Sequence, residues 1–199
     1  MSSSELSTQG LLRRNVGQAI AVCEGLLEDT CMSTVETVSE EIVRSLRTGG
    51  KVLLCGNGGS ASDAQHLAAE LIGRFCIDRR ALPAIALGDN ISAITAIGND
   101  YGYEDVFVRG VQGLGQPGDV LIGLSTSGSS PNVVAALRAA RDIGLITIAF
   151  VGRPDCEMAD LATYAICVTG AATARIQEGQ MLVGHTIFES VERELCAAS

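Results

Sequence analysis

His66 and His185 are the only two histidines among 199 residues, and each keeps company with groups that can move a proton or hold a metal. His66 precedes Glu70 by four positions in DAQHLAAE. On a helix that spacing puts both side chains on one face, about one turn beyond a glycine-rich loop. His185 ends the stretch ARIQEGQMLVGH, in which Gln177, Met181 and His185 fall four apart and drift slowly round one side of a helix. An imidazole beside a carboxylate suits general acid–base chemistry, and the same groups are common ligands of transition metals. A single histidine on a helix is usually structural. A His–Glu pair next to an anion-binding loop points instead to chemistry.

Two loops supply that anion-binding character. GNGGSAS, residues 56–62, follows the apolar run KVLLC, and STSGSSPN, residues 125–132, follows DVLIGL. Each leaves a strand-like run and opens a helix-like one, with Pro131 suited to the first helical turn. Glycines let the backbone approach a ligand closely, and the free N–H groups of a helix start carry partial positive charge. Ser125, Thr126, Ser127, Ser129 and Ser130 add neutral donors. With cationic side chains scarce, such a pair of loops suits a phosphomonoester attached to a polyhydroxy compound. One loop of this kind is often just an N-capped turn; two are harder to dismiss. Gly56-x-Gly58-x-x-Ala61 also satisfies the loose dinucleotide pattern, whose acidic partner belongs about 20 residues further on. The nearest candidate, Asp89, comes considerably later, and the second loop would have no role. No nucleotide cofactor is expected.

The elements that must carry these groups show in the hydrophobic pattern. Residues 11–47 place Val16, Ile20, Val22, Leu26 and Leu27, then Val35, Val38, Ile42, Val43 and Leu46, at helical spacing. A break near Glu28–Ser33 predicts two helices, the second closed by the glycines at 49–50. Beyond them KVLLC, PAIAL (83–87), DVLIGL (119–124), LITIAFV (145–151) and TYAICV (163–168) read as five buried strands. Helical stretches such as 60–74, 131–143 and 173–195 lie between or after them. The alternation predicts an α/β fold, a parallel sheet covered on both faces, with ligands taken at the carboxyl ends of its strands.

Composition narrows the function further. A net charge of −9 with no run of Lys or Arg argues against a nucleic-acid or anionic-membrane surface. No segment approaches the roughly 18–20 apolar residues that span a bilayer. MSSSELSTQG has neither the basic start nor the apolar core of a signal peptide. Seven cysteines without CxxC spacing suit small buried hydrophobes in a reducing compartment, and a cytoplasmic location follows. The single lysine, Lys51, precedes the first strand, where it serves neither a Walker A loop nor a Schiff base.

GNGGSASDAQHLAAE, the STSGSS loop, GND at 98–100 and RIQE with its downstream histidine resemble the phosphoheptose isomerases. These are sugar isomerase (SIS) domain proteins acting on sedoheptulose 7-phosphate. The resemblance covers nearly the whole chain, with the motifs in the family's order. It implies a three-layer, five-stranded, flavodoxin-like parallel sheet in a single SIS domain over 1–199, of which 1–48 is an N-terminal helical arm. Asn57, Gly58, Gly59 and Ser60 would line the sugar-phosphate site, while Ser125, Thr126, Ser127 and Ser130 would hold the phosphate, with Arg74 near it. Asn99 and Asp100 would reach substrate hydroxyls. Glu70 and His185 match the acid–base pair; His66, Glu70, Gln177 and His185 match the ligands of one labile zinc per subunit, Gln177 also facing substrate. A homotetramer with sites between subunits is implied, in which His185 would meet Glu70 across an interface. Ala174 stands where some members carry an acidic residue, and Gly179 and Gln180 where others carry a histidine. Competing expectations are a relative that binds a replication initiator, a regulatory phosphosugar sensor, or an isomerase of another phosphosugar.

Overall fold

The computed structural model describes residues 7–197; residues 1–6 of the expected arm and residues 198–199 lie outside the described residues. Ser7 caps α1 (Thr8–Gly25), its hydroxyl accepting from the Gly10 N–H at 3.1 Å. α2 (Asp29–Arg47) starts almost at once, so the break falls at residues 26–28, ahead of the expected Glu28–Ser33. The polar residues that suggested a loop form the exposed first turns of α2. Asp29 complements the helix dipole there, and the Ser33 and Thr34 hydroxyls donate back to the Thr30 carbonyl. α2 closes ahead of Gly49, whose φ of 89° is a left-handed value suited to glycine.

From here strands and helices alternate. The order is β1 (Val52–Gly56), α3 (Gly59–Ile72), β2 (Ala84–Ala86), α4 (Ile91–Asp100), a 3-10 turn at Tyr103–Asp105, α5 (Val108–Leu114) and β3 (Val120–Ser125). Then come α6 (Pro131–Ile143), β4 (Ile146–Val151), α7 (Glu157–Leu161), β5 (Tyr164–Cys167) and α8 (Thr173–Cys196). The five strands form one parallel sheet in the order β2-β1-β3-β4-β5. Every residue of β1 and β3 is buried, which is why these strands are apolar throughout instead of alternating.

Successive side chains of each strand enter opposite cores. Val52, Leu54, Val120, Ile122, Ile148 and Phe150 pack with apolar residues of α2, α3 and α8 on one face. Leu53, Cys55, Leu121, Ala149 and Val151 pack with residues of α5, α6 and α7 on the other. The result is the three-layer α/β fold that the five apolar runs predict. α1 and α2 lie against α8, and Val22 and Val38 join the first core.

α3 and α8 matter most for function. They run side by side in the same direction: Gly59 lies by Gln177, and Leu67 by Gly184. His66 lies by His185, and the segment after α3 by Glu192. At Gly184 an added Cβ would stand 2.6 Å from Leu67 Cδ2, so the absence of a side chain there sets the distance between the two helices.

Candidate active site

β1 and β3 are neighbouring parallel strands with Gly56 beside Leu124. Both hydroxyl-rich loops therefore leave the same end of the sheet, at the point where the strand order reverses. In the first loop Gly58 takes φ 55° and ψ −120°, a conformation open to glycine, and Gly59 begins α3. In the second, Ser125 Oγ lies 2.8 Å from Ser130 Oγ and 3.2 Å from Ser127 Oγ. Ser125 Oγ also accepts from the Gly128 N–H at 3.3 Å, and Ser127 Oγ from the Ser129 N–H at 3.3 Å. Thr126 is half-buried and Ser127 exposed, at the start of α6 with its Pro131 in the first turn. The hydroxyls thus cluster round a helix N-terminus, as an anion cradle requires.

The two loops are joined. Asn57 Nδ2 donates to Asn132 Oδ1 and Asn132 Nδ2 to Asn57 Oδ1, both at 2.8 Å, and Tyr103 Oη donates to Asn57 Oδ1 at 3.0 Å. Sequence reasoning identified Asn57 but missed Asn132 and Tyr103; an asparagine in a helix's first turn and a tyrosine in a turn carry no periodic signal. Asn99 and Asp100 end α4 just before that turn. They are exposed and bonded to each other at 2.8 Å, on the chain that delivers Tyr103 to the first loop. Ser60 is buried under the loop.

Three donor atoms converge between α3 and α8. His66 Nε2 is 3.0 Å from His185 Nε2 and 3.1 Å from Glu70 Oε1, and ligand atoms of all three residues lie within 4.8 Å of one another. This meeting occurs inside one chain and so needs no subunit interface, which corrects the expectation that His185 reaches Glu70 from a neighbour. The reason is geometric: parallel α3 and α8 bring position 185 beside position 66 directly. Edges of 3.0–3.1 Å are close to the roughly 3.3 Å that separates ligands on a tetrahedral ion with bonds of about 2.05 Å. Two imidazole nitrogens and a carboxylate also match the donor set of an open zinc site. The described side chains therefore fit such an ion.

The fourth expected ligand, Gln177, stands two turns before His185, about 12 Å back along α8, with its amide against Gly59. It borders the first loop and lines one pocket with His185. Arg74 is not brought to the phosphate loops of its own chain. α3 carries the first loop at its N-terminus, and Arg74 follows its C-terminus, about 21 Å away, exposed to solvent.

Further residues belong here that the sequence did not single out. Asp63 lines a pocket with Ala174, Gln177, Glu178, Met181 and His185. Burial pushes its carboxyl up while His66 opposes the shift, and its Oδ2 is buried without a protein partner. Phe75 stacks on His185, ring centroids 5.4 Å apart and planes 20° from parallel. Among the departures from the family pattern, Ala174 is exposed at the pocket rim. Gly179 is a packing position, since a Cβ would come within 2.6 Å of Val168 and 2.7 Å of Val22. Gln180 is wholly buried, and neither amide atom has a protein partner.

Comparison with known proteins gives the family and the fold. The SIS domain family profile matches residues 17–152. A phosphoheptose isomerase of Roseiflexus sp. (strain RS-1) is 51% identical over 167 residues, 84% of this chain and 85% of the relative. One of Burkholderia pseudomallei (strain 1710b) is 46% identical over 185 residues, 92% of this chain and 94% of the relative. The solved structure of the phosphoheptose isomerase GmhA from Neisseria gonorrhoeae superposes with a TM-score of 0.87 at 38% identity, covering 94% of this chain and 99% of that one.

Proposed function

The chain belongs to the SIS domain family and, within it, to the phosphoheptose isomerases, and from that membership we propose how its residues divide the work. The enzyme interconverts sedoheptulose 7-phosphate and D-glycero-D-manno-heptose 7-phosphate. The serine cradle and the N–H groups at the starts of α3 and α6 hold the phosphate, leaving the open-chain ketose to extend toward α8. Asn57, Asn99, Asp100 and Gln177 take sugar hydroxyls.

The isomerisation moves one hydrogen between neighbouring carbons without net oxidation. Glu70 removes a proton from C1 of the ketose while His185 gives one to the C2 carbonyl oxygen, leaving a 1,2-enediol. His185 then takes the proton from O1 as the C1 carbonyl forms, which restores it, and the carboxylic acid returns its proton to C2. The observation that carries this reading is the convergence of Glu70 Oε1, His66 Nε2 and His185 Nε2. The 3.0 Å and 3.1 Å approaches put the carboxylate and both imidazoles within reach of one bound carbonyl and its neighbouring carbon.

His66, Glu70 and His185 would hold a zinc ion, with Gln177 joining after swinging away from Gly59. Bound zinc would polarise the sugar carbonyl as a Lewis acid. The whole chain acts as one SIS domain with residues 1–48 as its arm, a reading supported by the packing of α1 and α2 on α8. Two observations support a homotetramer. Arg74 is too remote to serve its own phosphate loops, and Leu12, Val16 and Ile20 present an apolar stripe on the outer side of α1. The cytoplasm suits a chain whose seven cysteines are all free. Among the described residues no helix is long and apolar enough to cross a membrane.

The test is Glu70→Gln. The variant should lose aldose formation from sedoheptulose 7-phosphate while still binding the ketose, as read by calorimetry. Turnover retained in that variant would remove Glu70 as the base.

A further inference from the structure

The segment between α3 and β2 has no regular structure, yet it is held from below by two buried charges. Glu192, fully buried on α8, accepts from the N–H groups of Phe75 at 3.0 Å, Cys76 at 2.6 Å and Ile77 at 2.8 Å. Its Oε1 also lies 2.8 Å from Nε of Arg79. Arg79 in turn closes the C-terminus of α3. Its Nη2 donates to the Glu70 carbonyl at 2.8 Å, and its Nη1 to the carbonyls of Leu71 at 2.9 Å and Gly73 at 3.2 Å. Such carbonyls are the ones a helix end leaves unpaired.

Both carriers of the acid–base couple are therefore tied to one ion pair. Arg79 grips the backbone of Glu70 itself. Glu192 is seven residues beyond His185, two turns along the same side of α8, and folds the segment back so that Phe75 lies flat on the His185 ring. Phe75 joins neither apolar core. Its partner is the imidazole.

We propose that Phe75, Arg79 and Glu192 form a positioning unit that fixes the His185 ring against Glu70, with Glu192 acting through Phe75. None of the three touches the reacting carbons. The unit rests on the isomerase reading for its purpose, but its geometry can be tested without turnover. With only two histidines in the chain, protein labelled at histidine Cε1 gives two ring signals, assigned by a His66→Asn sample. The Phe75 ring current displaces the His185 signal.

Three full-length variants are compared after chelator treatment for spectra and as purified for kinetics: Phe75→Leu, Glu192→Gln and the double variant. Each single change should move the His185 signal in the same direction and lower kcat about tenfold, with KM within about twofold, a fraction of what an ångström of misplacement can cause. The double variant should be no worse than the poorer single one, because the two act in series. Phe75→Tyr should restore both readouts. An unmoved His185 signal and full kcat in Phe75→Leu, or losses that add fully in the double variant, would overturn the unit. If Glu192→Gln fails to fold, Phe75→Leu against Phe75→Tyr decides by the same two readouts. A wild-type enzyme without turnover would sink the isomerase reading alone, since the ring signal still tests the stacking.

Discussion

Replacing Gly184 by alanine tests whether the spacing of α3 and α8 creates the site. The new Cβ would stand 2.6 Å from Leu67 Cδ2 and 2.8 Å from Cδ1, whereas carbon atoms rest about 3.5–4.0 Å apart, a shortfall of about 1 Å. Leu67 is wholly buried in the core shared by α3 and α8, so the added methyl presses on that core and pushes the two helices apart. Overpacking of this kind costs about 1–3 kcal/mol, against about 1 kcal/mol gained by exchanging a helical glycine for alanine. The net loss of about 0–2 kcal/mol lowers the melting temperature by at most about 8 °C for a chain of this size. Activity should suffer more. His185 is the next residue, and opening its 3.0 Å approach to His66 by about 1 Å should lower kcat about 100-fold. Gly17 in α1 is the control: a Cβ there meets nothing within 4 Å, and alanine should add about 0.4–1 kcal/mol. Calorimetric melts and initial-rate assays on the same preparations settle it. A Gly184→Ala enzyme that melts with the wild type and keeps its kcat would refute the reasoning.

Asp63→Asn should melt at or above the wild-type temperature, because burial disfavours the charge, yet lose about 10- to 100-fold in kcat/KM if the carboxylate accepts a sugar hydroxyl worth about 1.5–3 kcal/mol; unchanged kcat/KM removes Asp63 from the site. Gly59→Ala should leave the melt within about 2 °C, since the clash at 2.3 Å is with the mobile amide of Gln177, but weaken substrate binding; an equal KM would show that Gln177 is idle. Burial alone would push the Glu192 carboxyl up, but three backbone N–H groups and Arg79 pull it down, leaving it below its ordinary 4.5. A carboxyl depressed on folding stabilises above its unfolded value and loses that contribution as pH falls through its folded value. The stability gap between wild type and Glu192→Gln, from denaturant titrations, should thus narrow as pH falls below 4.5, and a gap constant with pH would contradict the pairing.

The strands were legible because buried parallel strands must be apolar on both faces, and KVLLC and LITIAFV read that way unaided. α4 was not predicted. None of its residues is buried, so Ile91 and its neighbours carry little core pattern. The His66–Glu70 pair followed from spacing alone. Its union with His185 did not, because that depends on α3 and α8 being parallel neighbours, a contact between residues more than 100 positions apart. Glu192 was invisible for a related reason. In ESVEREL it resembles one charge of a solvated face, and only the fold of residues 75–77 reveals that its carboxylate is enclosed. Arg74 and Gln177 were placed by resemblance, which transfers the neighbours of a residue but not the side-chain conformation or the subunit that supplies them.

The reciprocal amide ring of Asn57 and Asn132 has a consequence for how ligand is captured. Neither turn can drift from the other without breaking two hydrogen bonds at once, so the receptor stands assembled before anything arrives. Little of the encounter free energy is diverted to organising it. A fragment as small as inorganic phosphate should then settle in the cradle unaided, and severing the ring should slow capture of the whole sugar while leaving the chemistry on captured molecules intact.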